Sequence, residues 1–343
     1  MGSQFAPPEL QSHTYSNSGY DGQFTYFLAR DGLTNPSEFD EPAYRAQRIL
    51  LPAIARTISF GHRYLLVWAL LFVNLCGLGV GTYWLERLLE RRGASPWIAL
   101  GFALSVGMFG AVRMTTNEPL AYGLVLGGLY CFDRDRWVLS ALLFALAALG
   151  KETTLFFPAA CGLCFLLRRR FPASLAFGAI ALTPFLVWET ILYRHFGTIA
   201  ARSGGADAAG FEIIPFYGLV RAMKAAMATQ MLSAAIVVVV FMTVFVLVPA
   251  AWSFRELLRN VRASIRETTL EWWVLLANVA IVPFTPTATF AEPLAMMRFI
   301  PGLQIGVILF AAASRPRRSL VMTTLWAFAS IMVVVVDLQL LRR

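Results

Sequence analysis

From position 64 onward the sequence repeats one pattern: an apolar run, a short charged interruption, then another apolar run. Ten runs follow one another, at 64–85, 96–112, 119–132, 137–150, 153–167, 172–192, 232–251, 271–290, 299–314 and 319–341. Long apolar runs without polar alternation predict helices surrounded by lipid or by each other. Several are shorter than the ~20 residues of a perpendicular span, and 119–132 with 137–150 reads as a tilted or half-inserted hairpin. The expected fold class is all-α, a polytopic membrane helical bundle of about ten segments. Residues 64–343 form that bundle, and residues 1–63 form a loop outside it.

The long polar stretch ahead of the runs, Gly19 to Pro52, carries two amphipathic segments. Phe24, Phe27 and Leu28 lie on one helical face, with Asp21 at the N-cap position. Ala46, Ile49, Leu50, Ala53 and Ile54 make a second apolar face, opposite Arg45, Arg48 and Arg56. Such helices are expected to lie in the membrane interface rather than cross it. Residues 1–18 are polar and lack the basic and apolar regions of a signal peptide.

Charge then orients the bundle. Of the 343 residues, 58% are hydrophobic and 14% charged, well below the charge of a soluble domain. The net charge of +9 would suggest nucleic acid in a soluble protein. Here the basic residues cluster in alternate loops, which points to no nucleic-acid partner. Loops 86–95, 133–136, 168–170, 252–270 and 315–318 hold 15 Lys and Arg, against 7 in the opposite internal loops. The rule that positive loops stay inside makes the first set cytoplasmic and sends residues 1–62 outside. Cys76, Cys131, Cys161 and Cys164 all fall in apolar runs and are expected to pack, not to bind metal. His13, His62 and His195 form no metal-spaced pair, and no glycine-rich phosphate loop is present, which argues against a nucleotide sugar as donor. The loop 193–231, flexible around Gly204, Gly205 and Gly210, reads equally as a connector or a gate.

Ionisable residues at membrane depth are costly, so they tend to mark function or to pair. Asp21, Glu118, Lys151, Glu152 and Arg298 all stand at the outer ends of runs or in the outer loop. On residues alone Asp21 reads first as a helix cap. Glu118, after Thr115, Thr116 and Asn117 and before Pro119, reads equally as part of an N-cap cluster. Lys151 and Glu152 are expected to pair, and Arg45 and Arg48 have snorkelling to headgroups as their plain alternative.

The pieces GYDGQ, PAYRAQRILLP, TTNEPLAYG, GKETTLFFP and RFIPGL, in this order, resemble the GT-C superfamily of membrane glycosyltransferases. The resemblance implies a transferase moving a monosaccharide from a polyprenyl-phosphate donor to an extracytoplasmic hydroxyl, with inversion. The acceptor would be a glycolipid, a polysaccharide or a protein. It implies that Asp21 is the catalytic base, its pKa raised at a partly desolvated interface, with Glu118 assisting. Lys151 and Arg298 would bind the donor phosphate, and Arg45, Arg48, Glu152 and Tyr26 would contact substrate. A divalent metal, Mg or Mn, would fall to Asp21 and Glu118. The superfamily has a first span before this loop, so the chain is expected to lack that helix. Its simple form points to a bacterial inner membrane, with the site facing the periplasm. Two rivals remain: a transporter or flippase of a lipid-linked substrate, and a non-catalytic glycolipid-binding subunit. Charges at outer ends, with no symmetry between halves, favour the enzyme.

Overall fold

A computed structural model describes residues 21–200, 210–228, 232–267, 269–314, 321 and 323–326. Residues 1–20, Gly204, Gly205 and most of the run at 319–341 lie outside the described residues. Three short helices come first: α1 (Gly22–Asp31), α2 (Pro42–Ala46) and α3 (Leu50–Ile58). α1 buries Phe24, Phe27 and Leu28, as their spacing requires. The second amphipathic segment departs from its pattern. It is two helices, and they bury Ala43, Ala46, Leu50, Leu51, Pro52 and Ala55 while Ala53 is exposed. Pro52 accounts for the break. It has no N–H to offer residue 48, and its ring crowds that carbonyl, so one helix cannot run through.

The bundle follows as α4 (Arg63–Arg91), α5 (Leu100–Ala103), α6 (Val106–Arg113), α7 (Glu118–Asp133), α8 (Trp137–Gly150), α9 (Phe156–Leu167) and α10 (Phe171–Phe196). It continues with α11 (Tyr217–Ala228), α12 (Leu232–Met242), α13 (Val248–Glu267), α14 (Leu270–Ala280), α15 (Thr287–Ala291), α16 (Pro293–Phe299) and α17 (Pro301–Ser314). No strand occurs among the described residues.

Among the described residues three helices are long and apolar enough to cross a membrane: α4, α10 and Val238–Glu267, in which α12 and α13 join through a π-turn. Two more candidates are bent pairs, Pro96–Ala103 with α6 at 50° and α16 with α17 at 52°. Pro301 ends α16 by the same missing N–H. The run at 271–290 is broken too, into α14, a 3₁₀ turn and α15, with Pro283 and Pro286 at the joints. The stretch 252–270, expected as a loop, is mostly helix. Arg255, Arg259, Arg262 and Arg266 lie exposed along one side of α13, and Ser253, Glu256, Leu257 and Ser264 are buried on the other.

The main core packs Leu85, Phe102, Tyr122, Leu126, Phe144, Phe157, Phe165 and Phe177 between α4, α7, α8, α9 and α10. The outside of the bundle is oily. Tyr64, Trp68 and Phe72 on α4 and Leu175, Leu186 and Val187 on α10 are exposed, as lipid-facing side chains are. From Tyr64 to Tyr83 the helix rises roughly 28 Å at about 1.5 Å per residue, close to the thickness of a hydrocarbon core. These are the features of an integral membrane protein. Three basic interruptions meet at one end of it. Arg91 and Arg92 pair with Asp133, Arg92 also with Glu271, and Arg170 lies 3.7 Å from Asp135.

α7 and α8 rise only roughly 24 and 21 Å, short of a ~30 Å hydrocarbon core. Glu118 and Lys151 stand at their adjoining ends and are both buried, joined by an ion pair at 2.7 Å. α3 packs against α4 and α8, and the Trp188 indole on α10 donates to the Ala46 carbonyl at 3.0 Å.

Candidate active site

Two close backbone contacts bring the ionisable residues together. Gly22 lies against the Met114 carbonyl, where an added Cβ would stand 1.6 Å from the oxygen. This contact sets Asp21 beside the turn that leads into α7. Gly107 does the same for α16, its would-be Cβ 1.9 Å from the Met297 carbonyl. That sets Arg298, in the last turn of α16, opposite Glu118 at the start of α7. The Asn74 amide on α4 donates to the Thr116 carbonyl at 2.9 Å and holds the turn from below.

The result is a chain of alternating charges. Arg298 donates Nη1 to Asp21 Oδ2 at 3.0 Å, and Nε and Nη2 to Glu118 Oε1 at 3.2 and 3.0 Å. Lys151 Nζ donates to the same Glu118 oxygen at 2.7 Å and to the Arg298 carbonyl at 3.3 Å. Arg45 donates Nη1 to Asp21 Oδ1 at 2.9 Å and forks onto Asp40 with Nε and Nη2 at 2.8 and 2.7 Å. Beside this chain Arg48 forks onto Glu152 at 3.0 and 2.9 Å and donates to the Tyr44 hydroxyl. Asp21, Phe24, Thr25, Arg45, Arg48, Asn117 and Arg298 are among the residues around a recess of about 20 Å³, room for a water and not for a sugar ring. The Glu118 side chain is 1% exposed and that of Asp21 34%, so of the two carboxylates that share Arg298, Asp21 is the one open to the outside.

Neither N-cap reading survives. Asp21 and Asn117 stand at the N-cap positions of α1 and α7, and neither side chain caps its helix. Burial would raise the Asp21 pKa, but Arg298, Arg45 and Arg48 together outweigh it and hold the carboxyl below its ordinary value. The raised pKa expected from desolvation is thus reversed, because the guanidiniums came with the burial. The expected pairing of Lys151 with Glu152 is also absent. Lys151 has extended backbone, φ −159° and ψ 123°, so successive side chains point apart. One goes to Glu118 and the other to Arg48.

A family model described as glycosyltransferase family 87 matches residues 53–283. The chain belongs to glycosyltransferase family 87. No curated protein and no solved structure matches it. This is a GT-C-type family of membrane glycosyltransferases, so the chain is a glycosyltransferase with a sugar donor and an acceptor as substrates. The matched residues include Glu118, Lys151 and Glu152, while Asp21, Arg45, Arg48 and Arg298 lie outside the match.

Within this family 87 chain, the charged cluster does not fit a divalent cation. Arg298 stands between Asp21 and Glu118, and the oxygens they turn toward each other are taken by its guanidinium. No group of three His, Cys, Asp or Glu side chains could share an ion among the described residues. Tyr26 is not brought to the recess; Arg30 lies over its ring at 5.8 Å. Sequence reasoning missed Asn117 and Thr25 as recess residues. It also missed Glu189, a carboxylate inside the α10 span beside Gln47, with Oε1 buried and unpartnered. A charge within the run 172–192 was the available signal.

Proposed function

We propose that this family 87 enzyme transfers a monosaccharide from a polyprenyl-phosphate donor to a hydroxyl on the outer side of a bacterial inner membrane, with inversion. The observation that carries the reading is the partly open Asp21 carboxylate set against three arginines around one recess. Asp21 takes the proton of the acceptor hydroxyl while its oxygen attacks the anomeric carbon from the face opposite the phosphate. The bond from that carbon to the phosphate oxygen breaks, and the charge that gathers on the phosphate meets Arg298, Arg45 and Arg48. Fixed guanidiniums suffice for such a leaving group, and no metal enters the step. Glu118 and Lys151, both buried beneath, hold Arg298 in place.

Purified protein, given polyprenyl-phosphate monosaccharides and a mixture of candidate acceptors, tests this directly. Asp21→Asn is expected to lower transfer by roughly 10²–10⁴ while still binding the donor. Undiminished transfer in that variant would remove Asp21 as the base. Binding of the lipid-linked sugar with no transfer in the unaltered chain would favour the binding-subunit reading.

A further inference from the structure

The two arginines that hold Asp21 share one arrangement. Each gives a single N–H to Asp21 and two to a second carboxylate: Arg45 to Asp40, Arg298 to Glu118. Arg45 is further fixed by the Phe24 ring, its guanidinium carbon 4.4 Å from the centroid. Asp21 is thus the singly held partner in both pairs, and each of its oxygens accepts one N–H from a guanidinium. A carboxylate in that state is a poor acceptor for a further proton. The recess beside it is too small for a sugar phosphate as it stands.

We propose that the donor phosphate and Asp21 compete for the same two N–H groups, so that Asp21 is released to act as base only once donor fills the recess. Asp40 is then a positioning residue. It and Glu118 keep the arginines still while Asp21 is exchanged for phosphate. The consequence is an ordered enzyme, donor before acceptor, with a base that is masked when no sugar is there to transfer. This rests on the donor and base assigned above. Arg45, Arg48 and Arg298 face Asp21 from α2, the turn after it and α16, with Asp40 beyond Arg45 and Glu118 beyond Arg298. Removing two cationic contacts and adding an anion must make the carboxylate more basic.

The test is an infrared pH titration of the Asp21 carboxyl in the full chain in nanodiscs, with and without polyprenyl phosphate lacking sugar. Asp21→Asn assigns the band. Saturating polyprenyl phosphate is expected to raise the midpoint by about one pH unit or more. Arg45→Gln should start higher and shift less, with Arg45→Lys between them. Asp40→Asn should raise the KM for donor more than it lowers kcat, since Arg45 then follows Asp21 and the donor must displace a tighter pair; an unchanged KM would overturn the exchange. Binding of polyprenyl phosphate with an unmoved or lowered midpoint would overturn the exchange and leave the donor assignment standing. No binding at all would overturn the donor assignment and the exchange with it.

Discussion

Replacing Glu118 by Gln separates charge from shape at the centre of the cluster. Glu118 Oε1 accepts three N–H groups from Arg298 and Lys151, while Oε2 is buried with no hydrogen-bond partner. A glutamine can keep its oxygen at the first position and place its amide at the second, so shape is preserved while the charge is lost and two N–H donors are added at a buried position without a partner. Arg298 retains Asp21. Lys151, 5% exposed, loses its direct counter-charge, since Glu152 is turned to Arg48. Removing one partner of a buried pair costs about 3–5 kcal/mol. The lysine can escape by releasing its proton, and from a reference pKa of about 10.4 this costs roughly 5 kcal/mol at pH 7, which caps the loss. The cap falls by about 1.4 kcal/mol for each pH unit above that. Reversible unfolding in mixed micelles should therefore show Glu118→Gln weaker by about 3–5 kcal/mol at pH 7, and the deficit should shrink toward pH 9. Adding Lys151→Met should recover part of it, a non-additivity expected of groups in contact. A loss under about 1 kcal/mol, or one independent of pH, would refute the claim that a charged Glu118 is needed between buried cations.

Two further outcomes follow from the same cluster. The Asp21 pKa is lower folded than unfolded, so its contribution to stability is present above the ordinary value of 3.8 and is lost as pH falls through the lower, folded value. Acid unfolding of Asp21→Asn should accordingly lose less on descending below about pH 4 than the unaltered chain, and identical acid profiles would contradict the ion pairs drawn for Asp21. Because Arg298 stands where a shared cation would sit, transfer should persist in excess EDTA. Loss of activity restored by Mg or Mn would show that the carboxylates rearrange around a metal.

Glu118, Lys151 and Arg298 were each legible as charges at the ends of apolar runs, because ionisable groups stand out against a hydrophobic chain, whereas Asp21, inside a polar stretch, was singled out only by the resemblance of its surrounding motif. Their partners were not legible. Nothing in GKETT says that Lys151 leaves the neighbouring glutamate for Glu118, since that depends on one extended residue at the end of α8. Nothing in the arginine spacing says that Arg298 reaches Asp21, 277 positions away. The contact exists because Gly107 and Gly22 let two backbones approach where any side chain would collide. The bundle itself was mostly legible from hydrophobicity, and the errors fall where hydrophobicity carries no information. Pro52 breaks a helix whose apolar face reads as continuous, and Pro283 and Pro286 divide the run at 271–290. α13 continues past its apolar half because arginines at spacings of four, three and four make a helix side as regular as any apolar stripe.

Burial is what joins these points. The sequence placed these charges at the outer ends of runs or in the outer loop, as groups that mark function or pair. Glu118 and Lys151 are buried inside the protein, so their charges must be matched by protein. That is why the cluster is a chain of ion pairs, and why, in the mechanism proposed, a donor phosphate would have to take its hydrogen bonds from a carboxylate already there. Of the two carboxylates that share Arg298, Asp21 accepts fewer N–H groups than Glu118 and is the more open, which is why the proposed exchange falls on it.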